Sequence, residues 1–593
     1  MNSWVHSKVF GFVDSPASNF ETTEWIAGKN ILRKTRSRIT VVIAVFLLAY
    51  MAVVGRMLHL TLTRSQAAPD AYNEERPAST DSQRADILDR QGLLLATSLK
   101  TLSLYADPKI IANPVEAARI INKTFPDLAY AEVLEKLQSK RRFVWLKRSL
   151  TPKQINAANH MGLPGVEFLE ETRRIYPQGS VAAHVIGYTD IDHKGLAGIE
   201  RGMDSLLHSS DAPLQTSLDV RLQHILQREI KKSITDFTAI GGAGLIMDVH
   251  TGEIHAMASL PDFNPHMPGD ISDIQRFNRI TLGAYEMGST FKTFTTAAML
   301  EFTNAQLRTQ FDARHPLQRA GFKITDFHPE ARYLTVPEVY IHSSNIGTAL
   351  EAEKIGTERM KDFYQKLGFL EKPQIEIQEQ AQPLIPRPWR PINTITAAYG
   401  HGIAVTPLQL AAATASIVNG GYRVTPTLIK RSATDYQNQE RVRVISEKTS
   451  QTMRELMRLV VTDGTGSKAN AAGYRVGGKT GTAEKTLGRG YSQHAQIASF
   501  VSVFPVDEPR FLVLIMIDEP KPNKDSYGYA TAGWVAAPYV GNVIKEMAPL
   551  VGIRPKFDAH LAALKASMGL SAPSSPAPVI TTISQEGGRL ASY

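Results

Sequence analysis

The chain has 593 residues, a formal net charge of +9 and no cysteine. A chain of this length exceeds what one hydrophobic core usually organises, so two or more domains are predicted, each large enough to fold without disulfides. The absence of cysteine excludes disulfides, thiolate zinc sites and cysteine nucleophiles, so any covalent chemistry must use an oxygen or nitrogen nucleophile.

The first predicted element is a membrane anchor near the N-terminus. An uncharged run of 17 residues, ITVVIAVFLLAYMAVVG, occupies positions 39–55. As a helix it covers about 26 Å, close to the hydrocarbon thickness of a bilayer. Four basic residues precede it: Arg33, Lys34, Arg36 and Arg38. The positive-inside rule therefore places residues 1–38 in the cytoplasm. We interpret this charge as a topology signal and not as a nucleic-acid site, and we predict a single transmembrane helix over 39–62.

A cleaved signal peptide is the alternative for this run. A signal peptide has a short basic region before the apolar run and small residues at the cleavage site after it. Here the apolar run starts after 38 residues and is followed by Arg56-Met57-Leu58-His59. Ser65-Gln66-Ala67 leaves cleavage open. An uncleaved anchor is the favoured interpretation.

Two large regions follow the anchor. Residues 63–216 mix short strand-like runs with charged helical stretches and contain no catalytic pattern of their own. A second domain is predicted to begin at 217, because Ser217-Leu218-Asp219 places a hydrogen-bond acceptor ahead of an amphipathic helix. That domain should extend to 563. The composition then turns to Ser, Pro, Ala and Gly, which predicts a disordered tail over 564–593.

The second domain has the pattern of an α+β fold. Five strand patterns lie at 244–249, 253–259, 474–480, 497–504 and 510–517. The first two flank His250-Thr251-Gly252 and predict a hairpin, and the short connection between the last two favours an antiparallel pair. Helical patterns fill the interval, at 291–300, 346–354 and 406–417 among others. Together they predict one five-stranded antiparallel sheet covered by a helical insertion.

Three short motifs occur once each in this domain and in a fixed order. They are Ser289-Thr290-Phe291-Lys292, Ser343-Ser344-Asn345 and Lys479-Thr480-Gly481. A lone Ser-x-x-Lys is weak, since a chain this long contains roughly two by accident at average composition. The triple in this order is specific, and it predicts one acyl-transfer site.

The first motif supplies a nucleophile and its base. A serine hydroxyl needs a base within hydrogen-bonding reach, and a helix that starts at Ser289 would place Lys292 on the same face. An ordinary lysine has a pKa of about 10.4, and bringing it near 7 costs on the order of 4 kcal/mol. Burial and the positive charge of Lys479 are the predicted causes. A backbone N–H at the positive end of the helix can face the developing oxyanion.

The second motif supplies positioning groups. The Ser343 hydroxyl can relay a proton between Lys292 and the leaving group, and the Asn345 amide can hold a substrate carbonyl and the lysine in register. Taken alone, Ser343-Ser344-Asn345 also describes a helix cap or turn. Its place between the other two motifs favours the catalytic interpretation.

The third motif predicts a carboxylate site. Thr480 and Thr482 are two apart on a predicted strand and face the same side, where they can bind a peptide carboxylate. Gly481 between them would allow the substrate backbone to approach closely.

A phosphate loop is the competing interpretation of residues 473–480, which satisfy its Gly-x-x-x-x-Gly-Lys-Thr pattern. A phosphate loop must open a helix, yet residues 482–496 contain Gly488 and Gly490 and lack an apolar stripe. The next strand is half of a predicted hairpin, where a nucleotide site needs a parallel crossover. The predicted topology also places this region outside the cytoplasm, away from ATP.

With these motifs in place, the chain resembles the class B penicillin-binding proteins, the single-anchor peptidoglycan D,D-transpeptidases, from about residue 39 to 561. Flanking runs that are similar to the family include Tyr285-Glu286-Met287-Gly288, Gly198-Ile199-Glu200 and Thr406-Pro407-Leu408-Gln409-Leu410. The run Ala398-Tyr399-Gly400-His401-Gly402 resembles the cell-division type more than the elongation type.

The resemblance implies a pedestal domain of the penicillin-binding protein dimerisation type over 63–216 and a transpeptidase domain over 217–563. Both would lie on the periplasmic side of a bacterial inner membrane. The penultimate D-Ala of a stem pentapeptide would acylate Ser289, D-Ala would leave, and an amine of a neighbouring stem peptide would take the acyl group. β-Lactams would trap Ser289 as a stable acyl-enzyme.

The resemblance also implies residue roles. Lys292 would be the base, Ser343 and Asn345 a proton relay and positioning groups, and the N–H groups of Ser289 and Thr482 the oxyanion hole. Lys479 and Thr480 would contact the carboxylate and the leaving group.

The implied partners are lipid II-derived nascent glycan, an FtsW-type glycosyltransferase beside the anchor and other divisome proteins, with no cofactor, metal or nucleic acid. Two other functions stay open: an elongation-type class B transpeptidase, and a β-lactam-binding sensor or divisome scaffold without turnover. A hydrolytic β-lactamase is disfavoured, because the small secreted enzymes lack the anchor and the long N-terminal half.

Overall fold

The computed structural model describes residues 43–57, 84–437, 441–487, 490–557 and 561–570. Residues 43–57 form a helix (α1) whose large apolar side chains, Phe46 and Leu48 among them, are exposed. Within the described ranges, no helix has the length and apolarity that crossing a bilayer requires. The predicted anchor, 39–62, is described only in part, and the predicted cytoplasmic segment, 1–38, lies outside the described residues.

The first domain is built around one long strand. Its strands are β1 to β5, at Ile87–Leu88, Leu94–Ala106, Val144–Leu150, Val166–Ile175 and Leu214–Gln215. β2 pairs antiparallel with β3 and β4, in the register Thr97 to Ile175 through Ala106 to Val166 for the second pair. β1 joins β2 to β5, so the last strand of this domain returns beside its first one.

Six helices accompany this sheet. They are α2 to α7, at Pro114–Thr124, Tyr130–Leu137, Pro152–Asn159, Ala183–Ile186, Gly198–Gly202 and Asp204–Ser209. α2 begins where Asn113 accepts the N–H of Glu116 and a proline follows at the first helical position, a common N-terminal cap. Buried side chains of α2, α3 and α4 form a small core with β2 and β3, which includes Leu104, Ile121, Val133 and Leu146.

A buried charge network fixes α6 against the start of this domain. Glu200 is fully buried, and each of its carboxylate oxygens accepts a hydrogen bond from an arginine. Arg84 Nε lies 2.5 Å from Oε2, and Arg174 Nε lies 2.7 Å from Oε1. Arg84 also binds Asp204, which is one-third exposed. The network joins three segments that are distant in sequence, so it fixes their relative positions.

The second domain begins with the predicted amphipathic helix. α8 spans Val220–Asp236, and Asp219 caps it by accepting the N–H of Arg221. Its buried face, with Leu222, Leu226 and Ile230, packs against the central sheet of this domain. The helix predicted after residue 217 is therefore confirmed.

That sheet has the predicted five antiparallel strands. They are β6, β7, β12, β13 and β14, at Gly241–Asp248, Ile254–Leu260, Gly477–Leu487, Gly490–Phe504 and Phe511–Asp518, in the spatial order β12-β13-β14-β6-β7. β6 and β7 form the predicted hairpin, and β13 and β14 the predicted antiparallel pair. The third strand was predicted at 474–480 and begins at 477, since Gly477 is the first residue paired with β13.

The sheet is covered on both faces. Along β14 the side chains of Leu512, Leu514 and Met516 belong to one core, and those of Val513 and Ile515 to the other. α8 and a helix near the C-terminus, α19 at Ala537–Leu550, cover one face, and the helical insertion covers the other. Because both faces are buried, the sequence of β14 is continuously apolar and does not alternate between apolar and polar residues.

The remaining strands are short and the remaining helices are mostly in the insertion. β8 to β11 lie at Gln310–Asp312, Leu317–Arg319, Phe322–Ile324 and Tyr333–Thr335. Helices α9 to α14 lie at Asp273–Arg276, Lys292–Phe302, Val336–Ile341, Asn345–Ile355, Thr357–Lys366 and Pro391–Ala398. Helices α15 to α20 lie at Pro407–Val418, Ala433–Gln437, Glu447–Asp463, Ala532–Val535, Ala537–Leu550 and Leu561–Ser567.

The three predicted insertion helices correspond to α10, α12 and α15, with one difference. The helix expected to start at Ser289 begins at Lys292, after a 3₁₀ turn over Gly288–Phe291. At the C-terminus, α20 includes residue 564, so the first residues of the predicted disordered tail are helical. Residues 571–593 lie outside the described residues.

Candidate active site

The 3₁₀ turn positions Ser289 at the N-terminal end of α10. Phe291 of this turn is fully buried and stacks on Phe369 at a centroid distance of 4.9 Å, which anchors the turn in the core. Gly288 has φ +51, and a Cβ there would lie 2.7 Å from the Thr482 carbonyl oxygen. Only glycine fits this position, so the turn is held directly against β12.

Lys292 lies beneath the serine and is fully buried. Its Nζ is 2.9 Å from Ser289 Oγ, 2.7 Å from Asn345 Oδ1 and 3.1 Å from Ser343 Oγ. It also donates to the Ser343 carbonyl oxygen at 2.7 Å. The first two motifs therefore meet at one nitrogen atom, within hydrogen-bonding distance of the candidate nucleophile.

Ser343 connects this nitrogen to the third motif. Lys479, also fully buried, places its Nζ 3.0 Å from Ser343 Oγ. Ser343 has φ +58, a left-handed conformation that is uncommon for a residue with a side chain. This conformation occurs in the turn between α11 and α12 and directs one hydroxyl at both lysines.

The two lysines are unusual in their protonation. Burial lowers the pKa of Lys292 to about 7, against the opposing attraction of Asp326 and Glu351. Burial, together with the positive charge of Lys292, lowers the pKa of Lys479 well below its ordinary value. The sequence predicted burial and the positive charge of Lys479 as joint causes at Lys292, and burial is the cause that lowers its pKa in the structure. A neighbouring cation contributes at the other lysine, where the charge of Lys292 acts on Lys479.

Two acidic residues near the site carry no motif in the sequence. Asp326 accepts the Ser344 hydroxyl at 2.7 Å and the N–H of Ile346 at 3.0 Å, at the start of α12. Glu351, fully buried on α12, lies 3.2 Å from the Thr296 hydroxyl, and burial raises its pKa to about 8. Glu351 is distinguished by its burial, which no motif in the sequence indicates.

The second motif is both a helix cap and part of the site. Ser344 N-caps α12 by accepting the N–H of Gly347 at 2.9 Å. Ser343 and Asn345, on either side of it, contact Lys292. The two interpretations of Ser343-Ser344-Asn345 are therefore compatible, because adjacent residues carry them.

The third motif lies on β12, at the edge of the sheet. Thr480 and Thr482 both line a cleft of about 610 Å³ that also contains Ser289. The Thr482 hydroxyl accepts the N–H of Ala532 at 3.2 Å, and the Thr480 hydroxyl lies 2.7 Å from that of Thr465. The predicted common orientation of the two threonines is present in the structure.

Gly481 was predicted to make room for substrate, and the structure gives a different reason. A Cβ at Gly481 would lie 2.5 Å from the Met287 carbonyl oxygen and 2.7 Å from Thr290 Cγ2. Because Gly481 has no side chain, the turn that contains Ser289 can pack directly against β12. Gly481 therefore sets the distance between the nucleophile and β12.

The phosphate-loop interpretation does not survive this geometry. Residues 477–480 of the pattern lie in β12, which continues to Leu487 as an antiparallel strand paired with β13. A phosphate loop requires a following helix and a parallel sheet. We therefore exclude a nucleotide site at Lys479.

The geometry was compared with known proteins. The family model described as "Penicillin binding protein transpeptidase domain" matches residues 242–544, and "Penicillin-binding Protein dimerisation domain" matches residues 79–235. The chain therefore belongs to the penicillin-binding proteins that carry a dimerisation domain ahead of a transpeptidase domain.

Named relatives narrow this assignment. The chain is 41% identical over 489 residues to "Probable peptidoglycan D,D-transpeptidase FtsI" of Caulobacter vibrioides, covering 80% of this chain and 82% of the relative. It is 30% identical over 549 residues to "Peptidoglycan D,D-transpeptidase FtsI" of Escherichia coli, covering 84% and 90%. Within the class B penicillin-binding proteins it is of the FtsI type.

A solved structure has the same fold. Penicillin-binding protein 3 of Mycobacterium tuberculosis, complexed with aztreonam, aligns with a TM-score of 0.64 at 24% identity, covering 80% of this chain and 97% of that one. The similarity supports the predicted α+β architecture, in which a dimerisation domain precedes the transpeptidase domain along the chain.

Proposed function

We propose that this chain is a serine-type peptidoglycan D,D-transpeptidase that cross-links stem peptides at the division septum. The observation that carries the proposal is the 2.9 Å distance between Ser289 Oγ and the Nζ of Lys292. This lysine is fully buried, and its burial lowers its pKa to about 7. A lysine that is partly neutral near pH 7 can act as a base, which an ordinary lysine cannot.

In the acylation step, Ser289 Oγ transfers its proton to Lys292 Nζ and attacks the carbonyl carbon of the penultimate D-Ala. The N–H groups of Ser289 and Thr482 stabilise the oxyanion that forms. The proton then passes from Lys292 through the Ser343 hydroxyl to the nitrogen of the leaving D-Ala. The C–N bond breaks, D-Ala departs, and an ester to Ser289 remains.

In the transfer step, an amine of a second stem peptide attacks this ester. The amine loses a proton to the Lys292 and Ser343 pair, and the new C–N bond forms. The ester C–O bond then breaks, and Ser289 Oγ recovers the proton from Lys292. β-Lactams follow the acylation step only, because their leaving nitrogen stays attached to the acyl group and blocks the acceptor. No step needs a metal or a cofactor.

Carboxylate recognition is assigned to β12. Thr480 and Thr482 present hydroxyls to the cleft, and Lys479 lies behind them. A carboxylate that arrives there favours the charged form of Lys479. The positive charge of Lys479 then disfavours a second charge on Lys292, so substrate binding would promote the neutral base.

We further propose the domain limits and the location. Residues 39–62 would anchor the chain in the inner membrane, with 1–38 in the cytoplasm and a periplasmic pedestal over 63–216. The transpeptidase domain would run from 217 to 563, a boundary that the packing of α8 on the sheet supports. An FtsW-type glycosyltransferase and other divisome proteins are the expected partners, with lipid II-derived nascent glycan as the source of stem peptides.

Labelling with a fluorescent penicillin tests the nucleophile. The native chain should acquire covalent label, and Ser289→Ala should acquire none. Ser467→Ala, which removes another hydroxyl that lines the cleft, is the matched control and should label as the native chain does. Label on the alanine variant of Ser289 would place the nucleophile elsewhere.

Two further measurements separate this proposal from its alternatives. Release of D-Ala from a D-Ala-D-Ala peptide distinguishes an enzyme from a β-lactam sensor or scaffold, since only the enzyme turns over. Localisation of a fluorescent fusion distinguishes division from elongation, because the septal role requires enrichment at midcell.

A further inference from the structure

The cleft beside Ser289 contains one carboxylate to which the proposed mechanism gives no role. We propose that Glu484 binds a primary ammonium group of the peptide substrate, at the end of the cleft away from the carboxylate site at Thr480. This inference rests on the proposed function and specifies its substrate as a peptide that carries a free amine near the reacting bond.

The first argument is the position of Glu484 on β12. Side chains of a strand point alternately to its two sides, so Thr480, Thr482 and Glu484 face the same side. Each is about 6.6 Å along the strand from the one before it. All three line the cleft. Glu484 pairs in register with Gln496 of β13, and the irregularity of this strand pair falls after Glu484. The alternation therefore still holds at Glu484.

The second argument is the distribution of charge. Of the described residues that line the cleft, Glu484 is the sole carboxylate. Lys468 also lines the cleft, and its Nζ lies 3.8 Å from the ring centre of Trp534. It is three residues from Thr465, whose hydroxyl lies 2.7 Å from that of Thr480. The lining of the cleft therefore combines one lysine, Lys468, with one carboxylate, Glu484.

The third argument is that the neighbouring lysine does not neutralise Glu484. Lys485 faces the other side of the strand, where it binds Asp518 at 2.9 Å and Glu519 at 2.7 Å. Within the described part of the chain, Glu484 forms no ion pair of its own. A half-buried carboxylate in such a position attracts a cation from the substrate.

The direction of the substrate follows from the same row of side chains. With its terminal carboxylate at Thr480 and Thr482 and its reacting carbonyl at Ser289, an extended peptide continues along β12 towards Glu484. The residue before the D-Ala-D-Ala pair would place a long side chain there. An ammonium at the end of that side chain complements Glu484. The acceptor amine of the second peptide is the other source of the same chemistry.

Two peptides that differ only in this charge test the inference. They are Nα-acetyl-L-Lys-D-Ala-D-Ala, with a free side-chain amine, and its Nα,Nε-diacetyl form. The full-length protein in detergent should release D-Ala from the free amine with a kcat/KM about three- to fivefold higher, as a partly exposed ion pair allows. Glu484→Gln should bring the ratio close to one, and Glu484→Lys should invert it.

Each preference is a ratio between two peptides on one variant, so a general loss of activity cancels. Glu519→Gln, which removes a carboxylate from the other side of the sheet, is the matched control and should keep the native ratio. Where turnover is slow, protection of Ser289 from the fluorescent penicillin by each peptide gives the same ratio from binding.

The two sources of the amine separate in the assay. A donor-side amine changes D-Ala release without any acceptor, whereas an acceptor amine changes only the yield of cross-linked product when an amine acceptor is added. An effect of Glu484→Gln in either arm supports the ammonium site. An unchanged ratio in both arms overturns it, while absent penicillin labelling of the native chain would instead overturn the proposed function.

Discussion

The side chains of Lys292 and Lys479 converge on one oxygen. Their Nζ atoms lie 3.1 Å and 3.0 Å from Ser343 Oγ, and both lysines are fully buried. Two ammonium groups this close repel, and neither is solvated by water. The pair therefore favours one neutral amine, and the shared hydroxyl gives that amine a route for a proton.

The rate of acylation should depend on pH through this pair. Burial lowers the pKa of Lys292 to about 7, and the neutral amine is the active form. The second-order rate constant for acylation by a penicillin should therefore rise from pH 6 to pH 8, with its midpoint near 7. Stopped-flow measurement with a fluorescent penicillin checks this, with the melting temperature recorded at each pH. A rate that stays constant over this range would exclude Lys292 as the base.

Adjacent serines should separate chemistry from stability. Ser343→Ala removes the hydroxyl between the two lysines and should slow acylation by about 10²-fold or more, the usual effect of a proton-transfer group. Ser344→Ala removes the cap of α12 and should lower the free energy of unfolding by about 1 kcal/mol. Acylation rates and melting temperatures of both variants provide the measurement. A Ser343→Ala variant that acylates at the native rate would contradict the relay.

Gly481→Ala should displace the nucleophile. The new Cβ would lie 2.5 Å from the Met287 carbonyl oxygen, so the 3₁₀ turn must shift away from β12. We expect a loss of about 1–3 kcal/mol of stability, as for overpacked cores, and a larger relative loss of acylation. Gly269→Ala is the control, because a Cβ there meets nothing within 4 Å. Equal behaviour of the two variants would show that the contact has no effect.

Glu200 should be a stability residue of the first domain. Glu200→Ala removes the buried carboxylate that Arg84 and Arg174 share and leaves Asp204 as a partner of Arg84, and breaking such a buried pair costs about 3–5 kcal/mol. Asp204→Ala removes a partner that is one-third exposed and should cost much less. Thermal unfolding of the purified chain, with penicillin labelling as a test of the intact site, compares the two. Similar melting temperatures would contradict the buried network's importance.

Much of the fold followed from local patterns. The apolar runs at residues 497–504 and 510–517 and the hairpin at 244–259 predict strands because their period and turn residues are local properties. The short connections then restrict the pairing to antiparallel. Element boundaries depend on tertiary contacts as well, as at Ser289, where a 3₁₀ turn replaces the expected first turn of α10. The cause is tertiary: Gly288 and Gly481 hold that turn against β12, and nothing in the local sequence specifies this contact.

The sequence by itself determined which groups are available for chemistry: one serine, two lysines, an amide and a row of hydroxyls, in three motifs whose order excludes coincidence. The tertiary structure alone decided what these groups can do. It buries Lys292 and Lys479 around a single oxygen, places Glu351 behind them and faces Glu484 into the cleft. Protonation and charge complementarity depend on desolvation and on distances summed over many atoms from distant segments, and a linear sequence does not contain these sums.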